Sequence, residues 1–180
     1  KMWGIFDETG FFLALCRHGF VLLIADMIRS GELAKYGLAM CNAVMDAFGS
    51  DLGIGYDIGC GHETTIKNSP LGERAKKLNF KTLVGAFHGH AHNRLCQLKH
   101  LAIYVLGLGL EDMEGNERFF SQSNCLSRAV QYASVYHRRQ SIAIYLAHMD
   151  TYETYANLSS FHVPCCMSPP LYLFFPHGYL

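Results

Sequence analysis

The chain has 180 residues, of which half are hydrophobic and 17% are charged, so it is expected to fold as one domain around a buried core. Fifteen basic side chains balance fifteen acidic ones. This balance argues against a free-standing nucleic-acid-binding domain, because such domains are normally basic.

Two apolar runs at residues 11–16 and 19–26 flank the polar hinge Arg17-His18-Gly19 and predict a β-hairpin. Polar residues interrupt the apolar stretch 11–28, so we predict no transmembrane helix. The opening KMWGIFDETG lacks the pattern of a signal peptide, and its first residue suggests the middle of a longer chain. Seven scattered cysteines favour a reducing compartment over a disulfide framework.

A helix is predicted from Ser30, as its N-cap, to Gly49, because apolar residues recur at helical spacing between them. A short strand is predicted at residues 54–58, with Gly59 and Gly61 as turn residues after it. Residues 68–79 predict a short helix with Pro70 in its first turn, and residues 82–87 predict a second buried strand.

Helical patterning returns after EDMEGNER and continues to about residue 150. Alternating strands and helices predict an α/β layered domain. Residues 161–180 contain four of the five prolines and show no periodicity, which predicts a loosely packed or non-native tail.

The stretch FHGHAHNRLCQ at residues 87–97 concentrates three histidines and a cysteine. In a strand, His88, His90 and His92 would share one face, whereas in a helix that begins after His88 the shared face would hold His88, His92 and Cys96. Either face could bind a metal such as zinc. The alternative is a polar strand-to-helix junction whose histidines bond only to the backbone.

Carboxylates at two places are candidate metal ligands. Asp57 ends a short apolar strand, where a carboxylate is costly unless it is paired, hydrogen-bonded or bound to a metal. Glu114 and Glu117 would share a helix face at i, i+3 and could serve a metal together. The alternatives are a turn-capping aspartate and a solvated helix start whose acids suit the helix dipole.

HGHAHN also resembles the H-x-H-x-D-H signature of metallo-β-lactamase-like hydrolases. His92 stands at the aspartate position and Asn93 replaces the next histidine. A metal-dependent hydrolase that uses the HGHAH cluster is therefore the alternative function.

Five motifs in this order resemble the Kyakuja-Dileera-Zisupton (KDZ) transposases: FDETGFFLALCRHGF, SGELAKYGLAM, GYDIGC, FHGHAHNRLCQ and LEDMEGNERFFS. The resemblance covers about residues 3–159. It implies an incomplete RNase H-like core with a small zinc-binding insert, which cuts and joins DNA by two-metal phosphoryl transfer. It also implies Mg²⁺ as catalytic cofactor, Zn²⁺ as structural cofactor, transposon-end DNA as partner, a nuclear location and a parent protein that can oligomerise.

By this resemblance Asp57 is the second acid of a D-D-E set, and Glu117, or else Glu114, is the third. The first acid would lie on an upstream strand, and Asp7 is not expected to replace it. Cys60, His88, His92 and Cys96 would form a Cys₂His₂ zinc site, which favours the helical face.

We expect residues 1–159 to be a partial catalytic core and residues 160–180 to lie outside the family. The fragment should be inactive, or an inert or co-opted remnant, and poorly soluble, because the absent strand would leave an unpaired sheet edge.

Overall fold

The computed structural model describes residues 6–160 and 172–174, with side chains up to residue 156. Within this part of the chain, strands and helices mix around a five-stranded sheet of order β2-β1-β5-β3-β4. The strands are β1 Glu8–Cys16, β2 Val21–Ile28, β3 Gly53–Gly55, β4 Lys81–Leu83 and β5 Tyr172–Phe174. The α-helices are α1 Ala34–Phe48, α2 Gly59–Lys67, α3 Gly72–Lys77, α4 Ala86–Gly89, α5 Arg94–His100, α6 Gly115–Val130 and α7 Val135–Ser160.

The predicted hairpin is confirmed, because β1 and β2 pair in antiparallel register on either side of a turn that contains Gly19 at φ 87°. Every residue of β1 is buried. Side chains alternate between the two faces of a strand, so Phe12 packs with α1 while Phe11 and Leu13 pack with α6 and α7 on the other face. The α/β prediction is therefore confirmed, and helices cover both faces of the sheet.

Strands β3 and β4 are parallel, and Ile54 of β3 is fully buried. Strand β5 lies between β1 and β3, antiparallel to β1 at Leu15 and Cys16 and parallel to β3 along its length. The expectation of an unpaired sheet edge is wrong at this position, because β5 provides the backbone partners. The other expectations for residues 160–180 concern residues that mostly lie outside the described part of the chain.

Several boundaries of helices and strands differ from the prediction. Helix α1 begins at Ala34 rather than after Ser30, and the Ser30 hydroxyl instead shares a 2.8 Å hydrogen bond with the Tyr36 hydroxyl. The helix ends at Phe48, and Gly49, the predicted stop, is its C-cap at φ 81°. Strand β3 ends at Gly55, before the predicted residue 58, because the chain then turns into α2.

The prediction that Gly59 and Gly61 are turn residues is wrong, since both lie in helix α2. A Cβ atom at Gly59 would lie 2.1 Å from the Leu83 carbonyl oxygen of β4. The glycine is required because the helix approaches the strand backbone closely.

The helical patterning beyond residue 111 is confirmed as two helices, α6 and α7, separated by a short break at residues 131–134. Helix α7 contacts the hairpin through Arg138 and Arg139, which pair with Glu8 at the start of β1. None of the helices in the described part of the chain is long and apolar enough to span a membrane.

Candidate functional site

Asp57 lies just beyond the carboxyl end of β3, in the turn that leads into α2. The Tyr56 amide donates a 2.9 Å hydrogen bond to the Leu83 carbonyl, so the chain stays beside β4 up to the residue before Asp57. The neighbouring strand β4 leads into α4, which carries His88. Parallel strands end at the same edge of a sheet, and this brings Asp57 and His88 together.

Asp57 and His88 form one group with a glutamate of α6. The His88 Nδ1 atom lies 3.3 Å from Asp57 Oδ1. Asp57, His88 and Glu117 each offer one candidate ligand atom, and these three atoms lie within 4.8 Å of one another. We call these three residues the acidic cluster; their donor atoms are close enough together to bind one cation.

Glu114 lies against the same helix α4, one turn before Glu117. Its Oε1 accepts a 2.8 Å hydrogen bond from the Phe87 amide, and its Oε2 is 3.9 Å from His88 Nδ1. Burial raises the pKa of the Glu114 carboxyl, and the nearby charges of Asp57 and Glu117 raise it further. Glu114 therefore borders the acidic cluster and carries a carboxyl that is more easily protonated than an exposed one.

Two contacts that sequence reasoning missed hold Glu114 in place. A Cβ atom at Gly85 would lie 2.4 Å from Glu114 Oε1, so the glycine leaves the space that this carboxylate occupies. Asp112 accepts a 3.0 Å hydrogen bond from the Glu114 amide and pairs with Arg118 at 2.6 Å. Asp112 belongs to the acid-rich EDMEGNER segment, but the spacing of the acids in this segment did not indicate which of them would accept a hydrogen bond from the backbone.

Cys60, His92 and Cys96 form a second group, the thiol cluster, whose candidate ligand atoms also lie within 4.8 Å of one another. The His92 Nδ1 atom is 3.4 Å from Cys60 Sγ and 3.2 Å from Cys96 Sγ. Sulfur and nitrogen ligands of a tetrahedral zinc ion are separated by about 3.5 Å, so this spacing and donor set fit zinc. Burial and the neighbouring Cys60 raise the pKa of the Cys96 thiol.

The structure thus brings together three of the four predicted zinc ligands and places His88 with the acids instead. The predicted continuous helix face from His88 to Cys96 is wrong, because α4 ends at Gly89 and α5 begins at Arg94. Asn93 starts the new helix by accepting a 3.0 Å hydrogen bond from the Cys96 amide. The chain changes direction between the two histidines, so they face different clusters.

The structure gives no support to the histidine-based hydrolase site. His88 faces the acidic cluster, His92 lies in the thiol cluster, and His90 is exposed. Among the residues with described side chains, no candidate metal group contains two histidines of this motif. Asp7 also lies apart from both clusters, since it pairs with the exposed Arg29 at 2.5 Å.

A buried cysteine–histidine contact between α1 and α2 was also missed. Cys41 Sγ lies 3.4 Å from His62 Nε2, and the Tyr56 ring packs edge-on against the imidazole. Burial lowers the pKa of His62 to about 4, so this histidine is neutral at pH 7. The contact joins two helices in the core and is too buried to act on a substrate.

The sequence matches the family described as KDZ, Kyakuja-Dileera-Zisupton transposase, over residues 1–150. Neither the comparison with curated proteins nor that with solved structures gave a match. The matched segment contains all residues of the acidic cluster and of the thiol cluster. Because the match covers most of its length, the chain belongs to the KDZ transposase family.

Proposed function

We propose that this chain is part of the catalytic core of a DDE-type DNA transposase and supplies two of its three acids, Asp57 and Glu117. The observation that carries the proposal is the acidic cluster: carboxylates 60 residues apart in sequence offer oxygen atoms within 4.8 Å in a member of a transposase family. They lie at the carboxyl edge of parallel strands, where α/β proteins commonly bind ligands. Transposon-end DNA is the proposed substrate and partner, in the nucleus.

The chemistry of the donor set fits the divalent cations that such a transposase uses. The Asp57 side chain is only 13% exposed, and a neighbouring cation would stabilise the charge of such a largely buried carboxylate. When bound, a pair of Mg²⁺ ions would activate the attacking oxygen and stabilise the leaving oxygen of the DNA phosphate. Asp57 and Glu117 would hold the cation. Glu114, fixed by the Phe87 amide, would border the cation site and help to position helix α4 beside it.

The position of β5 suggests where the first acid of the parent transposase would enter. A strand joined to the start of β1 by a short turn runs antiparallel to β1, and β5 has this direction. It would also lie parallel to β3, as β5 does, and would end near Asp57. We propose an RNase H-like arrangement in which the upstream strand takes the place of β5 and brings its acid to the acidic cluster.

Residues 1–180 alone should therefore not cut DNA. Their balanced charge also gives little long-range attraction to a phosphate backbone, so DNA binding would rely on other parts of the parent protein.

In a transposase that carries this segment, Asp57→Asn should lower strand cleavage by about a thousandfold, because the amide cannot replace the charge of the carboxylate at the cation. Glu117→Gln should have a similar effect, and Glu114→Gln a smaller one of about tenfold. The measurement is cleavage of a labelled transposon-end duplex in Mg²⁺.

Asp46→Asn is the matched control, because Asp46 is an exposed acid that pairs with Arg74 away from the acidic cluster. It should leave the cleavage rate unchanged. Full cleavage by the Asp57→Asn variant would rule out the proposed role of this carboxylate.

We further propose that the thiol cluster holds a structural zinc ion through Cys60, His92 and Cys96. The three ligands come from α2, from the turn after α4 and from α5, so the ion would fix the two short helices against α2. His88 completes the ligand set in the family resemblance, but here it faces Asp57. The fourth ligand of the ion is therefore proposed to be water or a group from the parent protein.

The purified chain should contain about one zinc ion, and Cys60→Ser or Cys96→Ser should each lower zinc affinity about a hundredfold, because a thiolate ligand is lost. Elemental analysis gives the stoichiometry, and the sulfur-to-metal absorption of the Co²⁺-substituted protein reports the thiolates. The control His90→Ala removes an exposed imidazole and should change neither. Two bound ions that do not depend on Cys60 or Cys96 would favour the hydrolase function instead.

A further inference from the structure

His88 belongs by sequence to the histidine-rich stretch but by position to the acidic cluster. We propose that His88 is a nitrogen ligand of the cation held by Asp57 and Glu117, and that this site therefore selects Mn²⁺ over Mg²⁺. The inference rests on the proposed function for the location of the cation site. It adds a ligand and a metal preference that the acids alone do not imply.

The spacing of the three side chains fits a six-coordinate ion. Adjacent ligands of an octahedral ion at about 2.1 Å are separated by about 3.0 Å, and opposite ligands by about 4.2 Å. The His88 Nδ1 atom lies 3.3 Å from Asp57 Oδ1, close to the first value. All three candidate ligand atoms lie within 4.8 Å of one another, which leaves room for an ion among them.

The imidazole has a buried nitrogen atom aimed at this site. His88 Nδ1 is shielded from solvent and makes no hydrogen bond within the described part of the chain, although Asp57 Oδ1 lies 3.3 Å away and Glu114 Oε2 3.9 Å away. A buried polar atom normally has a partner, and a cation would provide one. The atom is grouped with the acids and not with the thiol cluster, where His92 Nδ1 is the imidazole nitrogen that lies beside the two cysteines.

Helix α4 fixes the imidazole between the two other ligands. The Ala86 amide donates a 2.8 Å hydrogen bond to the Asp112 carbonyl, which ties α4 to the segment before Glu117. On its other side α4 follows β4, which pairs with the strand that leads to Asp57. The position of His88 is therefore set by both elements that carry the acids.

A nitrogen ligand changes which cation the site prefers. Mg²⁺ favours sites made of oxygen ligands and water. Mn²⁺ also binds carboxylates, but as a transition metal it accepts an imidazole nitrogen more readily than Mg²⁺ does. A site of two carboxylates and one imidazole should thus hold Mn²⁺ more tightly than Mg²⁺. The two acids alone would show a weaker preference.

The test is pulsed electron paramagnetic resonance of Mn²⁺ bound to residues 1–180, after one equivalent of Zn²⁺ has been added to fill the thiol cluster. A directly bound imidazole produces ¹⁴N modulation of the Mn²⁺ echo, which changes to the ¹⁵N pattern when the protein is made with ¹⁵N-histidine. We expect this modulation in the unaltered chain and in His90→Ala, and its loss in His88→Gln. The affinity ratio of Mn²⁺ to Mg²⁺ should fall about tenfold in His88→Gln.

Mn²⁺ that binds without histidine modulation would overturn the inference, and so would modulation that persists in His88→Gln. If His88 only hydrogen-bonds to Asp57, Mn²⁺ would bind without histidine modulation. Absence of Mn²⁺ binding would also overturn it, because the three side chains are proposed to hold the ion without other residues. The ¹⁵N-histidine comparison uses the unaltered chain and so does not depend on the folding of a variant.

These outcomes are separate from the fate of the proposed function. Mn²⁺ could bind the unaltered chain without histidine modulation and lose this binding in Asp57→Asn. That result would overturn the role of His88 but would still support a cation site made of carboxylate oxygens. The cleavage assay of the Asp57→Asn transposase decides the proposed function independently.

Discussion

Glu8→Ala is expected to lower the free energy of unfolding by about 3–5 kcal/mol, the usual cost of removing one partner from a buried ion pair. The Glu8 side chain is 3% exposed and pairs with Arg138, itself 9% exposed, and with Arg139 at 2.5 Å. Without Glu8, Asp26 at 3.5 Å would be the remaining ionic neighbour of the buried Arg138 guanidinium on the described part of the hairpin. Urea unfolding of the chain, followed by circular dichroism, measures the loss.

Asp7→Ala is the matched control, because Asp7 is the adjacent residue and its ion pair with Arg29 is more than 60% exposed on both sides. Exposed pairs contribute about 0–1 kcal/mol, so this variant should be nearly as stable as the unaltered chain. Equal losses for the two variants would show that the Glu8 cluster does not attach α7 to the hairpin.

The sheet and its covering helices could largely be predicted from local patterns. The run FFLALC is apolar at every position, which indicates a strand buried on both faces, and Arg17-His18-Gly19 marks the turn after it. Helix α2 was missed because Gly59 and Gly61 read as turn residues. A glycine is required at position 59 because the backbone of Leu83, 24 residues later, lies against it. A local sequence pattern does not include such a distant contact.

The candidate residues could be named from the sequence, but their grouping in space could not. Asp57, Glu114 and Glu117 were candidate ligands from their pattern in the sequence, the family resemblance suggested their roles, and the structure brings them to one edge of the sheet. His88 was predicted to be a zinc ligand, because its spacing to His92 and Cys96 fits one helix face, whereas the structure groups it with Asp57 and Glu117. The interruption is a local Asn93 cap three residues before Cys96, and the count of helical spacing from His88 did not take this cap into account.

The contact of Glu8 with Arg138 spans 130 residues, and no sequence period links its partners. Charged residues in a strand start and in a helix are usually exposed, so their burial together was not indicated.

Gly59→Ala should lower the free energy of unfolding by about 2–3 kcal/mol, because the added methyl group would meet backbone atoms that cannot rotate away. Its Cβ would lie 2.1 Å from the Leu83 carbonyl oxygen and 2.7 Å from the carbonyl carbon. Gly61→Ala, two residues later in the same helix, has nothing within 4 Å of the added atom. It should instead be neutral or raise stability by about 0.5–1 kcal/mol, since alanine favours helix more than glycine.

The same pair of variants should separate in metal binding as well as in stability. Asp57 and Cys60 flank Gly59 in sequence, so a shift of α2 away from β4 would move a ligand of each cluster. The Leu83 carbonyl also accepts the Tyr56 hydrogen bond that holds the chain before Asp57, and the clash would strain this bond. We expect Gly59→Ala to weaken Zn²⁺ and Mn²⁺ binding together, whereas Gly61→Ala should retain both. Metal titrations that found Gly59→Ala equal to the unaltered chain for both ions would show that the close approach of α2 to β4 does not position the two clusters.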